Sequence, residues 1–368
     1  MSWTAPADPA GDAGASAALR ELAERIRATA DAGSPLAIVG GGTKAFLLEP
    51  LAGSPLAMSS YRGVLAYEPA ELVIEARAGT PLAEIEALLA AHGQRLACEP
   101  PRCGPGSTIG GVVAAGFSGP ARPWAGALRD HVLGVRLLSP AGELLRFGGR
   151  VMKNVAGYDV SRLVCGAWGT LGPIATVALR VAPRPERSLT LTWSLAANEA
   201  RRRMLALARE AWPLAGLAYD GERLRVRLAG AAAAIDEALS RLGPAAIDED
   251  EAWWEALRDL RIAGCEPGRR LWRLSMPPAA TLDARPLREI LDWGGAQRWW
   301  SGDVLPAAEI HARVQAAVGA QGYAVPMFAA GLAEQPPLSA VQRALQTRLR
   351  AAFDPGRLFN RDCSRVAG

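Results

Sequence analysis

The chain has 368 residues, half of them apolar, enough to bury a large core and to favour two domains or one domain with a substantial insertion. Its formal net charge of +4 is spread along the sequence, which gives no footprint for a nucleic acid. The leader MSWTAPADPAGDAGAS has neither a basic start nor an apolar run, and no stretch reaches the length of a membrane span. The chain is therefore expected to be cytoplasmic, with residues 1–16 as a flexible arm.

Residues 15–30 repeat apolar positions at helical spacing, and Gly33-Ser-Pro ends that helix before the strand LAIVG. Gly40, Gly41, Gly42, Thr43 and Lys44 follow. VLAYEP and ELVIEARAG read as strands. Thr80-Pro81 reads as a helix start, with Thr80 as N-cap and Leu82, Ile85, Leu88 and Leu89 as the buried face up to Gly93. Residues 99–120, EPPRCGPGSTIGGVVAAGFSGP, read as a long functional loop. Over 134–149 two alternating segments joined by Pro140-Ala-Gly142 predict a hairpin. DVSRLVCGAWG predicts a short buried helix capped by Asp159, and PIATVALRVAPRP a strand; Pro183 and Pro185 mark a boundary.

Beyond it come SLTLTWSL (strand), ANEARRRMLALAREA (helix), GLAYDG and RLRVRLAG (strands) and AAAIDEALSRL (helix). LWRLSMPP, a helix near 283–291, GGAQRWW, a helix from about 304 and YAVPMFAAG follow. This order predicts antiparallel strands with helices on one face. The helix LSAVQRALQTRLRAAFD leads to the tail.

Cys98, Cys103, Cys165, Cys265 and Cys363 contain no C-x-x-C pair and read as free thiols of a reducing compartment. His92, His131 and His311 are too far apart in sequence to suggest a metal cluster, and no metal site is expected; His311 reads as a solvated side chain. Trp253-Trp254 and Trp299-Trp300 read as packing residues or as anchors for a partner. Of 41 basic residues only Lys44 and Lys153 are lysine, and both lie in glycine-rich motifs, where a compact ammonium suits better than a planar fork.

Three glycines after a strand let backbone amides converge on an anion. A Walker loop fails because the upstream glycine spacing is wrong. Gly40 to Ala45 does spell G-x-G-x-x-A, but the Rossmann mechanism needs a helix at once, and Pro50, Gly53 and Pro55 prevent one. A plain glycine-rich turn stays open for this stretch alone. With the loop at 99–120, two opposed loops present amides and the Ser107 and Thr108 hydroxyls to both phosphates of a dinucleotide, without a helix dipole.

The order GGGTK, EPP…GPGSTIGG…AAGFSGP, RDHVLGVRLL and KNVAGYD…GTLG resembles the FAD-binding domain of the vanillyl-alcohol oxidase (PCMH-type) flavoproteins. KNVAGYDVSRL, AYEPAELVIEARAGTPLAE, LWRLSMPP and DWGGAQRWW are similar to the FAD-binding subunits of bacterial glycolate oxidases. The match is dense over 33–184, patchy after it, and recovers at AAFDPGRLFN. The resemblance implies an α+β protein: a two-subdomain FAD-binding domain over 17–185, an antiparallel α+β cap domain over 186–335, and a C-terminal helix and tail, 336–368, packing on the FAD domain.

It further implies that Gly40, Gly41, Gly42, Thr43 and Lys44 form the first pyrophosphate loop and Gly106, Ser107, Thr108, Gly110 and Gly111 the second. Ala114, Gly116 and Gly119 would run past the isoalloxazine and ribityl region, with Lys153, Gly157, Tyr158 and Gly172 in a third cofactor-binding element, KNVAGYD…GTLG. Thr43-Lys44 stand where some relatives carry a flavin-linking His, so the FAD is expected to be noncovalent. Tyr323 stands where a His of related substrate domains would be, and Arg361-Asp-Cys363 replaces the usual Pro-Gly-basic tail. No catalytic residue is therefore assigned. The implied activity is that of an FAD-dependent 2-hydroxy-acid oxidoreductase acting within a complex: an FAD-binding subunit of glycolate oxidase beside a catalytic flavin subunit and an iron–sulfur subunit, converting glycolate to glyoxylate. Those partners would also hold it peripherally at the inner membrane. The alternatives are a stand-alone FAD-linked 2-hydroxy-acid dehydrogenase and a structural subunit that has lost flavin.

Overall fold

A computed structural model describes residues 13–149, 158–248, 251–262, 270–283, 286, 288–302, 305–328, 330 and 334–363. The chain divides into two units, one of Met1–Phe117, Ala127–Pro183 and Leu338–Gly368, the other of Ser118–Gly126 and Arg184–Pro337. Helix α1 (Ala13–Asp31) leads to β1 (Leu36–Val39), which runs parallel to β2 (Ser54–Ala57). Leu19, Leu22, Ala23 and Ile26, spaced for one helical face, are buried against Leu36, Leu56 and Phe359.

β3 (Val64–Glu68), β4 (Val73–Arg77), α2 (Leu82–Ala91), β5 (Gln94–Arg95), α3 (Ile109–Ala115), α4 (Arg122–Ala125) and α5 (Leu128–His131) follow. Then come β6 (Val132–Leu138), β7 (Leu144–Gly148), α6 (Val160–Leu163), β8 (Ile174–Arg180) and β9 (Ala182–Pro183). The antiparallel sheet β3-β4-β8-β6-β7 contains the expected hairpin, paired from Gly134↔Gly148 to Leu138↔Leu144. β8 lies at the centre of this sheet, and its residues from Ile174 to Leu179 are buried. Ile85 and Leu89 of α2 and Val112 and Val113 of α3 share one core with Ile74, Val135 and Val177 of the sheet.

The second unit contains α4, β10 (Arg187–Ser194), α7 (Ala197–Leu207), β11 (Leu214–Tyr219), β12 (Arg223–Gly230), α8 (Ala232–Leu242), β13 (Ala246–Asp248) and α9 (Ala252–Arg258). β14 (Leu271–Ser275), β15 (Arg288–Asp292), β16 (Gln297–Ser301), α10 (Ala307–Val318) and β17 (Tyr323–Pro326) complete it. Its strands form one antiparallel sheet, β13-β10-β12-β11-β15-β16-β14-β17. The final helix, α11 (Ala340–Phe353), belongs to the first unit.

Several local expectations are corrected. The helix expected near 283–291 is strand from Arg288 to Asp292, because this short segment pairs with all of β16, from Arg288↔Ser301 to Asp292↔Gln297. Thr80 does not cap α2, whose N-cap is Pro81. Its hydroxyl instead donates to the Arg77 carbonyl (2.7 Å) and accepts from the Gly63 amide (2.9 Å), fixing the corner before the helix. The expected loop at 99–120 contains α3, capped by the Thr108 hydroxyl. His311 is half-buried, with Nε2 3.0 Å from the Glu334 carbonyl. Trp254, Trp299 and Trp300 are buried and Trp253 is half-buried, so packing accounts for these pairs.

Candidate functional site

In the first unit several loops surround a cavity of about 450 Å³. Gly40–Lys44 leave the end of β1 on one side, and Ser107, Thr108, Gly110, Gly111 and Ala114 stand on another. The first loop turns through Ala45 N–H to the Gly42 carbonyl (3.0 Å), with Gly42 at φ +70°. A single 3-10 turn, Ala45–Leu47, follows where a Rossmann site would have an α-helix. Buried Leu47 anchors that turn.

The second loop is stitched to the β4–α2 corner. The Leu82 amide donates to the Ser107 carbonyl (2.7 Å), Ile109 to Thr80 (2.9 Å) and Gly110 to Ala78 (2.9 Å). A β-carbon on Gly110 would lie 2.6 Å from that of Ala78, so the close approach requires glycine there.

Where the loops meet, backbone touches backbone. A β-carbon on Gly41 would overlap the Gly106 carbonyl, and one on Gly40 would lie 2.5 Å from Thr108 Oγ1. Lys44 joins the two sides. The residue is 8% exposed, and its ammonium donates to Ser107 Oγ (3.2 Å) and to the Arg102 carbonyl (3.4 Å). The amides of Gly41, Gly42 and Thr43 have no hydrogen-bond acceptor among the described residues. A cradle with unsatisfied amides and a buried cation suits a phosphate-bearing ligand. Ile38, Leu48, Leu51, Met58 and Ile174 supply apolar wall, which suits a flat aromatic ring system. These features together fit an FAD.

The other sequence-predicted residues are distributed differently. Gly106 is outside the cavity lining but carries the carbonyl that Gly41 meets. Gly116 ends α3 at φ +70°, its backbone against Gly166, and does not line the cavity. Gly172, at φ +126°, turns the chain into β8, close to the Leu138 carbonyl (2.9 Å for an added β-carbon). Gly119 belongs to the second unit, where its carbonyl accepts from Trp293 Nε1 (3.0 Å). Tyr158 is 98% exposed and outside the lining. Lys153 and Gly157 lie outside the described residues.

Sequence reasoning did not assign Ala78, Trp168, Gly169 or Asn360, which also line the cavity. The turn at 166–172 is held to α3 by Gly166 N–H to Val113 O (3.0 Å) and Trp168 N–H to Ala114 O (2.9 Å). Trp168 takes a left-handed conformation, φ +52°. The tail motif FDPGRLFN marks the segment that carries Asn360 but not the partners of its side chain. Nearby Cys98 and Cys165 are free thiols; burial pushes Cys98 well up and Cys165 up to about 12, so both stay protonated at neutral pH.

Among known proteins, the family model for an FAD binding domain matches residues 17–148. Glycolate oxidase subunit GlcE of Escherichia coli (strain K12) is 40% identical over 339 residues, covering 92% of this chain and 95% of that protein. Glycolate oxidase subunit GlcD of Bacillus subtilis (strain 168) is 39% identical over 85 residues, 23% of this chain and 18% of that protein. A solved alkyldihydroxyacetonephosphate synthase superposes with a TM-score of 0.64 at 15% identity, covering 92% of this chain and 75% of that one, a likeness of fold. By its identity and coverage, the chain belongs to the family of glycolate oxidase subunit GlcE.

Proposed function

We propose that this chain is an FAD-binding subunit of a glycolate oxidase, acting on glycolate within a multi-subunit complex. The observation that carries the reading is the meeting of two glycine loops, Gly40–Lys44 and Gly106–Gly111, beside one cavity in the domain that matches the FAD-binding family. Gly41, Gly42 and Thr43 would donate their amides to the diphosphate, with Ser107 and Thr108 opposite. Lys44 would supply positive charge, since a buried ammonium between the loops offsets a nearby anion at low dielectric. The apolar wall would hold a planar ring and exclude water from it. When bound, FAD would supply the two-electron acceptor that oxidation of a 2-hydroxy acid requires.

The spacing of the five cysteines offers no iron–sulfur ligand set, so electrons would leave through an iron–sulfur partner, with a second flavin subunit completing the substrate site. Among the described residues no helix is long and apolar enough to cross a membrane, and association with one would run through those partners.

Purifying the tagged chain from its own cells tests this reading. The expected result is a yellow protein that releases FAD on denaturation and elutes with a second flavoprotein and an iron–sulfur protein. A chain that stays colourless in excess FAD, with a melting temperature that does not respond to it, would contradict the reading.

A further inference from the structure

We infer that Asn360 is a positioning residue that ties two walls of the cofactor cavity together from the C-terminal tail; the inference rests on the proposed FAD site. Asn360 lies 322 positions beyond Ile38, yet its side-chain amide is shared between two walls of the cavity. Oδ1 accepts from the Ile38 amide (2.7 Å), in the strand that delivers Gly40–Gly42. Nδ2 donates to the Trp168 carbonyl (2.6 Å), in the turn that presents Gly169. The Asn360 backbone amide also donates to the Leu36 carbonyl (2.9 Å). One side chain thus sets the separation of β1 and the 166–172 turn, and it uses both its donor and its acceptor to do so.

The surroundings hold Asn360 in place. It is 3% exposed and takes φ +41°, a left-handed conformation that asparagine tolerates better than most residues. Arg350 Nη2 donates to the carbonyls of Phe359, Asn360 and Arg361, each at 3.1 Å. Asp354 accepts from the amides of Leu358 and Phe359, each at 2.8 Å. A β-carbon on Gly169 would lie 2.8 Å from Asn360 Nδ2, so the turn has room for this amide only because position 169 is glycine. The tail motif is therefore a preformed mount for one amide group, and what that group fixes is the width of the cavity rather than a contact of its own with substrate.

Three variants test the latch. Asn360→Gly keeps the left-handed backbone accessible and deletes the amide; Asn360→Asp keeps an acceptor for Ile38 and loses the donor to Trp168. Both are expected to raise the FAD dissociation constant about tenfold, the loss that follows when a buried hydrogen-bonding group is left unpaired. They should also shift the visible flavin spectrum. Arg348→Ala, an exposed change on α11 outside the tail motif, should alter neither. Hydrogen exchange at the Ile38 amide of the FAD-free protein should quicken about tenfold in Asn360→Gly. If Asn360→Gly binds FAD with wild-type affinity and spectrum, whether or not its melting temperature falls, the latch is refuted. Should the wild type itself bind no FAD, the site assignment fails instead, and unchanged exchange at Ile38 would then refute the latch separately.

Discussion

Glycine has different roles in the two units. In the first, Gly41, Gly110 and Gly116 bring main chain against main chain or against a β-carbon, and the result beside Gly41 is a cavity edged by amides that have no acceptor among the described residues. In the second, Gly216 makes room for a side chain: a β-carbon there would lie 2.8 Å from the Trp254 ring, whose Nε1 donates to Thr190 Oγ1 (2.8 Å). The Arg227 guanidinium lies 4.9 Å from the centre of the same ring and donates to Glu251 and to the Ala215 carbonyl. The lesson is that glycine marks close approach in both places. What approaches, backbone or ring, decides whether the glycine serves a ligand or a core.

The largest effect expected from this contrast is at Gly41. Gly41→Ala forces the first loop away from the Gly106 carbonyl, and FAD affinity should fall at least a hundredfold, about 3 kcal/mol, by fluorescence titration. Near-normal affinity in that variant would break the comparison. Gly216→Ala should do the reverse: overpacking against Trp254 lowers stability by about 2 kcal/mol in urea unfolding and leaves FAD affinity within twofold.

Asp292 extends the contrast to charge. This carboxyl of the second unit is 1% exposed and accepts from the Trp293 amide (2.7 Å) and from Gln297 Nε2 (3.0 Å). Burial pushes its pKa up to about 7, against those hydrogen bonds and Arg227, which favour the charged form. The folded state thus holds the proton more tightly than the unfolded one. The stability this gives is fully present below about pH 4, declines as pH rises, and is lost above pH 7. Between pH 5 and pH 8 this group should cost the wild type on the order of 2 kcal/mol, a loss that Asp292→Asn removes. Equal pH profiles for the two proteins would contradict the assignment. The smallest effect is at Tyr158, 98% exposed: Tyr158→Ala should leave FAD affinity within twofold, and a larger loss would put the third sequence element back at the site.

Much of the cradle was legible in the sequence because glycine requirements are local. GGGTK after a short strand and GPGSTIGG after a helix each declare a backbone that something must approach. Helix α3 was not legible, because Ile-Gly-Gly-Val-Val-Ala-Ala has poor intrinsic helix propensity and is helical through the packing of Val112 and Val113 in the core. β15 was misread because five residues are too few for a period to decide between helix and strand; pairing with β16 decides. Asn360 was out of reach for another reason: its partners are Ile38 and Trp168, and no local pattern relates positions so far apart.

If both glycine loops grip one FAD, hydrogen exchange of the whole chain with and without FAD will register both at once. The cofactor is expected to slow exchange at residues 40–44 and at 106–111 together. Slowing at only one of these loops, or at neither while FAD is bound, would contradict that shared grip.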